Sequence, residues 1–212
     1  MTFRFSRSPV TSALLIVIAI VMVFEWLSGA LENEEILVQM GATVHELWQR
    51  HEYWRLITAM FLHGGWVHWL ANSWALFQLG SLYEVMFGSV RFLFFYFITG
   101  LCASIASSLF THQASVGASG AILGILGAFI FSIRRSPQWR HEPWTRGLIS
   151  QLVFWAMVNL ALGFSVKVID NVAHIAGLVS GLLLGLIPHR VPPQPPSESV
   201  IDVQPYRSYG AE

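Results

Sequence analysis

The chain has little charge and almost no cysteine. Only 11% of its 212 residues are charged, and its 12 basic and 12 acidic side chains cancel to a formal net charge of zero. This neutral balance argues against a nucleic-acid partner. The single cysteine, Cys102, excludes an internal disulfide framework and a cysteine-based zinc cluster, so we expect a small core residue there.

Long hydrophobic runs take up most of the sequence. Hydrophobic residues make up 54% of the chain and the mean hydropathy is +0.56, which is typical of a polytopic membrane protein. A membrane span needs about 20 mostly apolar residues, so we predict six helices, at roughly 10–28, 66–86, 90–110, 119–134, 147–164 and 172–188. The expected fold is an all-α membrane protein, with a six-helix domain over roughly residues 1–190. The proline- and serine-rich remainder, roughly 191–212, predicts a disordered cytoplasmic tail.

The first apolar run has a second interpretation. Arg4 and Arg7 precede it and Ser28-Gly29-Ala30 follows it, as in a secretory signal peptide with its cleavage site. The run is long for such a signal and carries Glu25 near its end, so we favour an uncleaved first helix.

Arginines are concentrated in alternate connections between the predicted helices. These arginines are Arg4, Arg7, Arg91, Arg134, Arg135, Arg140, Arg146, Arg190 and Arg207. The other connections contain only Arg50, Arg55 and Lys167. By the positive-inside rule both termini are cytoplasmic, and we expect a multi-pass protein of a bacterial inner (plasma) membrane. The segment 29–65 is then outside, where its length and aromatic residues predict an amphipathic loop at the outer interface.

Polar side chains stand at the predicted outer ends of helices two, four and six. Ser119 opens the fourth helix, Asn171 and His174 open the sixth, and His68 and Asn72 lie in the first turns of the second. At a rise of 1.5 Å per residue, each lies within roughly 10 Å of the outer boundary. Polar groups inside a bilayer are costly and usually mark function. We therefore predict a functional layer near the outer face.

Small residues recur every fourth position on two of these helices. They are Ala173, Gly177, Gly181 and Gly185 on the sixth helix, and Gly120 and Gly124 on the fourth. Such faces let two helix backbones approach closely in lipid. His174 borders the glycine face, so we expect it beside the fourth helix and near Ser119.

These residues suit acyl transfer. A neutral imidazole can take the proton of a serine hydroxyl, and the N–H of Ser119 at a helix start can stabilise a developing oxyanion. His68 and Asn72 share one helix face and both can donate hydrogen bonds to that oxyanion. Taken alone, Ser119 would more often be a helix N-cap and His174 an interfacial histidine. Their common depth favours the functional interpretation.

Two other arrangements involve the same histidines. His63, His68 and His174 could hold zinc, but His63 and His68 do not share a helix face, and no nearby cysteine or glutamate completes the set. Asp170, four residues before His174, could orient the imidazole as in a catalytic triad. We consider that role unfavoured, since Asp170 is expected in a loop exposed to water.

From about Trp54 to Pro188 the chain resembles the rhomboid intramembrane serine proteases in their minimal six-helix form. The resemblance is carried by Trp54-Arg55, His63, His68-x-x-x-Asn72, Tyr83-Glu84 with Gly88, Gly117-x-Ser119-Gly120, and Asn171-x-x-His174-x-x-Gly177-x-x-x-Gly181. It implies a Ser119/His174 dyad without a third acid, and an oxyanion hole of His68, Asn72 and the Ser119 N–H. No metal and no cofactor are implied.

The resemblance also implies substrates and supporting residues. Single-span or polytopic membrane proteins would be cut near their outer ends, where small or helix-breaking residues let the chain unwind. Structural or supporting positions are Trp54, Arg55, Glu84, Gly117, Gly120, Asn171, Gly177 and Gly181. One position departs from the family pattern, because Leu123 stands where many members have an aromatic residue under the histidine.

Two rival functions remain open at this point. A catalytically weak rhomboid-like binder or quality-control factor for membrane helices would be expected to lack the serine or the histidine, and both are present. A small transporter or channel would favour inverted repeats, broken mid-membrane helices and charged residues at the midplane. No such repeat is found, and the polar cluster is near one face.

Overall fold

A computed structural model describes residues 8–137, 139–165 and 169–188 of the chain. Within these ranges the fold is all-helical, and the one β-type pairing is an isolated antiparallel bridge between Thr43 and Ser115. The α-helices are α1 Pro9–Ser28, α2 Glu34–Met40, α3 Leu47–Arg50, α4 Arg55–Thr58, α5 Trp66–Ala75, α6 Ser81–Phe87, α7 Ser89–Phe110, α8 Ser119–Arg135, α9 Pro143–Ser165 and α10 Asn171–Leu184.

Each of the six predicted helical segments falls on helical structure, so the all-α class is confirmed. The second predicted helix is divided, because a π-helical turn at Leu76–Gly80 separates α5 from α6. By length and composition, three of the described helices are apolar enough to cross a membrane: α1, α7 and α9. The predicted tail at 191–212, and the arginines and the lysine at 4, 7, 167, 190 and 207, lie outside the described residues.

Helix α8 forms the centre of the bundle. Thirteen of its 17 residues are buried, and its most extensive contacts are with α10 and α7. A helix that is apolar and buried on every side is enclosed by other helices and does not face lipid. The first residues of α8 are therefore held in place by the surrounding helices.

The contact between α8 and α10 is made by backbone atoms. A methyl group added to Gly177 would overlap the carbonyl oxygen of Gly120, and one added to Gly181 would overlap that of Gly124. Only glycine allows two helices to approach this closely. The approach fixes the position of the first turn of α10 relative to the first turn of α8.

The long connection after α1 is a folded layer. Arg55 is buried, and its Nε donates to a carboxylate oxygen of Glu52 at 2.6 Å. Its guanidinium also donates to the carbonyl oxygens of Val38 and Ala42, and lies 4.6 Å from the centre of the Trp54 ring. Arg55 thus joins α2, α4 and the chain between them, in the segment that the sequence predicts as an interfacial loop.

Glu84 joins α6 to the start of α1. Its buried carboxylate accepts hydrogen bonds from the N–H groups of Val10 and Thr11 and from the hydroxyl of Thr11, at 2.7–2.9 Å. The Ser89 hydroxyl donates to the same carboxylate at 2.6 Å. The first N–H groups of a helix have no partner within it, so Glu84 satisfies donors that would otherwise be unpaired in an apolar environment.

Candidate active site

Ser119 and His174 meet where α8 and α10 begin. Ser119 is the first residue of α8 and His174 lies in the first turn of α10. The Ser119 hydroxyl Oγ and the His174 Nε2 are 2.9 Å apart, within hydrogen-bond distance. His174 is 5% exposed and Ser119 is half-buried, so the histidine lies inside the protein and the serine is partly accessible.

The other ring nitrogen of His174 is unpaired. Its Nδ1 is buried and has no hydrogen-bond partner among the described residues. Asp170 is engaged elsewhere: its carboxylate accepts from the N–H of Ala173 at 2.9 Å and from the hydroxyl of Ser107 at 2.5 Å. The expectation that Asp170 is a water-exposed loop residue was wrong, because it is the half-buried N-cap of α10.

Leu123 lies one turn into α8 and is buried in the main core. In the part of the chain that the structure describes, no aromatic ring lies against the His174 imidazole. Among the described residues, the Ser119 hydroxyl is the hydrogen-bond partner of the His174 ring.

His68 and Asn72 lie against the segment that leads into Ser119. A methyl group on Gly117 would stand 2.7 Å from the His68 Nε2 and 3.4 Å from the Asn72 Nδ2. Gly117 also has φ +122°, a backbone conformation that favours glycine, and its N–H donates to the Ala59 carbonyl at 2.8 Å. The structure thus brings the predicted oxyanion donors of α5 to the chain just before Ser119.

The two predicted donors differ in their ability to donate a hydrogen bond to an oxyanion. The Asn72 Nδ2 is buried with no hydrogen-bond partner among the described residues, so it is free to donate. The His68 Nδ1 lies 2.6 Å from the His63 carbonyl oxygen, which only accepts, so Nδ1 carries the proton. In a neutral His68 the Nε2 is then an acceptor. His68 can donate through Nε2 only in its doubly protonated form.

Sequence reasoning missed a role for Glu25. Near the C-terminal end of α1, its fully buried carboxylate accepts from the N–H groups of His63 and Gly64, at 2.8 and 3.0 Å. The His63 carbonyl in turn binds the His68 ring. Glu25 therefore holds the turn that positions His68. A lone carboxylate in an apolar helix is itself a signal of function, and this signal was available in the sequence.

Asn171 links α10 to α9, since its Nδ2 donates to the Leu160 carbonyl at 3.2 Å. The zinc alternative gains no support. The His63 and His68 rings are 5.2 Å apart, but no group of three histidine, cysteine or acidic side chains among the described residues is placed to hold a metal ion.

A bundle of apolar helices, three of them long enough to cross a membrane, indicates an integral membrane protein, with a serine–histidine pair at the start of two helices. The Rhomboid domain family matches residues 50–191 of the sequence. Rhomboid protease GluP of Bacillus subtilis is 38% identical over 174 residues, covering 82% of this chain and 34% of that protein. The chain therefore belongs to the rhomboid family.

Other relatives include RHOMBOID-like protein 1 of Arabidopsis thaliana, 40% identical over 71% of this chain and 39% of that protein. Rhomboid-like protease 5 of Toxoplasma gondii is 33% identical, over 72% of this chain and 18% of that protein. The chain spans less than half the length of these curated relatives.

Replacing Glu25 by alanine should destabilise the fold near the site. The change leaves the buried N–H groups of His63 and Gly64 without an acceptor, at a typical cost of about 1–3 kcal/mol each. Glu25→Gln retains one acceptor oxygen and should lose much less. Melting temperatures in detergent micelles test this, with Glu32→Ala, an exposed carboxylate in the next loop, as the control. Equal melting temperatures for Glu25→Ala and Glu32→Ala would contradict the assigned role.

Proposed function

We propose that this chain is an intramembrane serine endopeptidase that hydrolyses peptide bonds of membrane proteins through Ser119 and His174. The hydrogen bond of 2.9 Å between the Ser119 hydroxyl and the His174 Nε2 is the observation that carries the proposal. Membership of the rhomboid family, which includes relatives named as proteases, supports the same reaction class. Serine and histidine at this distance form the minimal nucleophile–base pair.

In the first half of the reaction the Ser119 Oγ attacks the scissile carbonyl carbon, and the His174 Nε2 takes the hydroxyl proton. The carbonyl oxygen becomes an oxyanion. The same nitrogen then gives its proton to the leaving amine as the C–N bond breaks, which leaves an acyl-enzyme ester on Ser119. A water molecule attacks this ester, His174 takes the water proton, and its return to Ser119 Oγ releases the carboxyl product.

The oxyanion would be stabilised from two directions. The Ser119 N–H is at the start of α8, where unpaired N–H groups and the helix dipole favour negative charge. Asn72 supplies a buried amide with no other partner among the described residues. His68 contributes as a donor when its ring is doubly protonated, a form that the oxyanion itself would favour.

The proposed topology has six membrane spans. They are α1, the continuous stretch from α5 through the π-helical turn to α6, and α7 to α10. Helices α8 and α10 are short, with 17 and 14 residues, but α8 is enclosed by its neighbours and does not have to match the lipid thickness itself. The arginine bias supports cytoplasmic termini, with the candidate site near the outer face of a bacterial inner membrane.

The proposed substrates are single-span or polytopic membrane proteins. A transmembrane helix hides its carbonyl groups in internal hydrogen bonds, so a substrate must unwind before Ser119 can attack. Helix-breaking residues near the outer end of the substrate span supply such a stretch. The lipid bilayer is the medium in which enzyme and substrate meet.

A second candidate function is a catalytically weak rhomboid-like binder of membrane helices. The observation that favours it is that no carboxylate of the described residues accepts a hydrogen bond from the His174 Nδ1, as one would in a catalytic triad. Turnover measurements separate the two functions.

Ser119→Ala and His174→Ala should each abolish proteolysis and leave the melting temperature near that of the wild type. Because the pair acts as a unit, the double variant should be no worse than either single variant. Cleavage of single-span substrates by purified protein in proteoliposomes measures this. Ser180→Ala is the control, since it removes a serine hydroxyl of α10 that bonds only within its own helix. Normal turnover by Ser119→Ala would eliminate the protease assignment.

Removal of the Asn72 donor should reduce kcat by about 10²–10³ with little change in KM, as for other oxyanion donors. Asn72→Asp should lose as much as Asn72→Ala, because a carboxylate accepts hydrogen bonds and repels the oxyanion. We also expect His68→Ala to lower kcat strongly. Ser73→Ala, the next residue on α5, is the matched control. Wild-type kcat in both Asn72 variants and in His68→Ala would place the oxyanion hole elsewhere.

Cleavage should occur in the outer half of the substrate span. Glycine or proline introduced near the outer end should raise turnover, whereas the same residues near the cytoplasmic end should not, because only the outer end reaches the depth of Ser119. Mass spectrometry of the two products locates the scissile bond. A cut in the cytoplasmic half would contradict both the topology and the route of substrate entry.

A further inference from the structure

We propose that the end of the bundle opposite the candidate active site binds the phosphate head group of an anionic phospholipid between α8 and α9. A cavity of about 630 Å³ opens there, between the end of α8, the connection that follows it, and the first turns of α9. Its lining includes Arg134, Arg140, Thr145, Arg146, Ile149 and Val153.

The charge of this cavity selects an anion. Three consecutive parts of the chain each supply one arginine: Arg134 from α8, Arg140 from the connection and Arg146 from α9. All three are exposed, and no carboxylate of the described residues forms an ion pair with them. A guanidinium matches phosphate oxygens with two parallel hydrogen bonds, so three unpaired guanidinium groups around one cavity favour a phosphate ligand.

The described part of the connection, which carries Arg140, is folded. The hydroxyl of Thr145, a residue only 2% exposed, donates to the Trp139 carbonyl at 2.5 Å and closes the turn that carries Arg140. The buried Trp139 ring packs edge-on against Phe87 at 5.5 Å, which fixes the turn to the core. Little ordering of the backbone is then needed when a ligand binds, and that lowers the free-energy cost of binding.

The apolar wall favours a lipid over free phosphate. Ile149 and Val153 continue the cavity along α9, and Val153 is 44% exposed. The hydrophobic stretch of α9 is only 11% buried, so this helix has the most lipid-facing surface of the three long ones. An arginine rim above an apolar wall matches a phosphate group attached to acyl chains.

The depth of the cavity agrees with a head group. Arg134 lies fifteen positions after Ser119 on α8, which at 1.5 Å per residue gives about 22 Å between the site and the arginine rim. The rim is therefore at the opposite membrane surface, where basic pockets between helices recruit anionic lipids. A lipid bound to Arg134 and Arg146 together would fasten α9, which is otherwise loosely packed, to α8.

Native mass spectrometry of the full-length protein, with phosphatidylglycerol, phosphatidylcholine or inorganic phosphate added to the detergent solution, tests the proposal. Arg140→Gln removes one charge from the cavity, and Arg135→Gln removes one charge from an exposed neighbour that does not line it. We expect phosphatidylglycerol to bind more tightly than phosphatidylcholine. The affinity of the protein for phosphatidylglycerol should fall about fivefold in Arg140→Gln and stay unchanged in Arg135→Gln. This estimate takes the contribution of one arginine to lipid binding as about 1 kcal/mol.

Three outcomes would overturn the proposal. Equal binding of the two lipids would remove the charge argument, and equal losses in Arg140→Gln and Arg135→Gln would indicate a diffuse charge effect. Binding of inorganic phosphate as tight as that of phosphatidylglycerol would identify an ion site with no lipid specificity. The readout is lipid binding, so it is independent of whether the chain cleaves substrates.

Discussion

Backbone contact between α8 and α10 is the constraint on which the rest of the structure depends. Gly177 and Gly181 lie directly on the carbonyl oxygens of Gly120 and Gly124, with no room for a methyl group. In lipid there is little hydrophobic drive between helices, so close van der Waals contact is a main source of their association. The same contact brings two first turns within hydrogen-bond reach, and the Ser119–His174 pair is its consequence.

The polar groups around this contact form a connected set. Glu25 holds the turn at His63 and Gly64, the His63 carbonyl holds the His68 ring, and His68 lies against Gly117. The first two links are hydrogen bonds that satisfy buried groups, as an apolar environment requires, and the third is a close steric contact. Two of the buried polar atoms that have no hydrogen-bond partner among the described residues, the Asn72 Nδ2 and the His174 Nδ1, belong to the candidate site.

Much of this arrangement could be predicted from the sequence. Helix positions follow from apolar length, and the nearness of Ser119 to His174 follows from glycines at every fourth residue, because both patterns are local in the chain. The π-helical turn at Leu76–Gly80 could not be predicted, since it depends on how α5 and α6 pack against their neighbours.

Three further features could not be predicted from the sequence. The bond between Asp170 and Ser107 joins residues 63 positions apart, and the proton on His68 Nδ1 is set by a carbonyl that only the folded turn presents. Glu25 was visible as an isolated charge in an apolar run. Its partners were not, because they are backbone N–H groups, which every residue except proline carries.

In the proposed two-residue site, the His174 Nδ1 has no hydrogen-bond partner among the described residues, so the imidazole has to be oriented without a third side chain. In a triad a carboxylate fixes the tautomer and the rotation of the imidazole. Here Asp170 instead fixes the helix, since it caps α10 and binds α7 through Ser107. The glycine contact restricts sliding and tilting of α10 against α8. The backbone of His174 is restricted in the same way because it lies in the first turn of α10. Orientation is thus supplied by backbone packing, and the absence of a ring at Leu123 matters less than it would on a looser pair of helices.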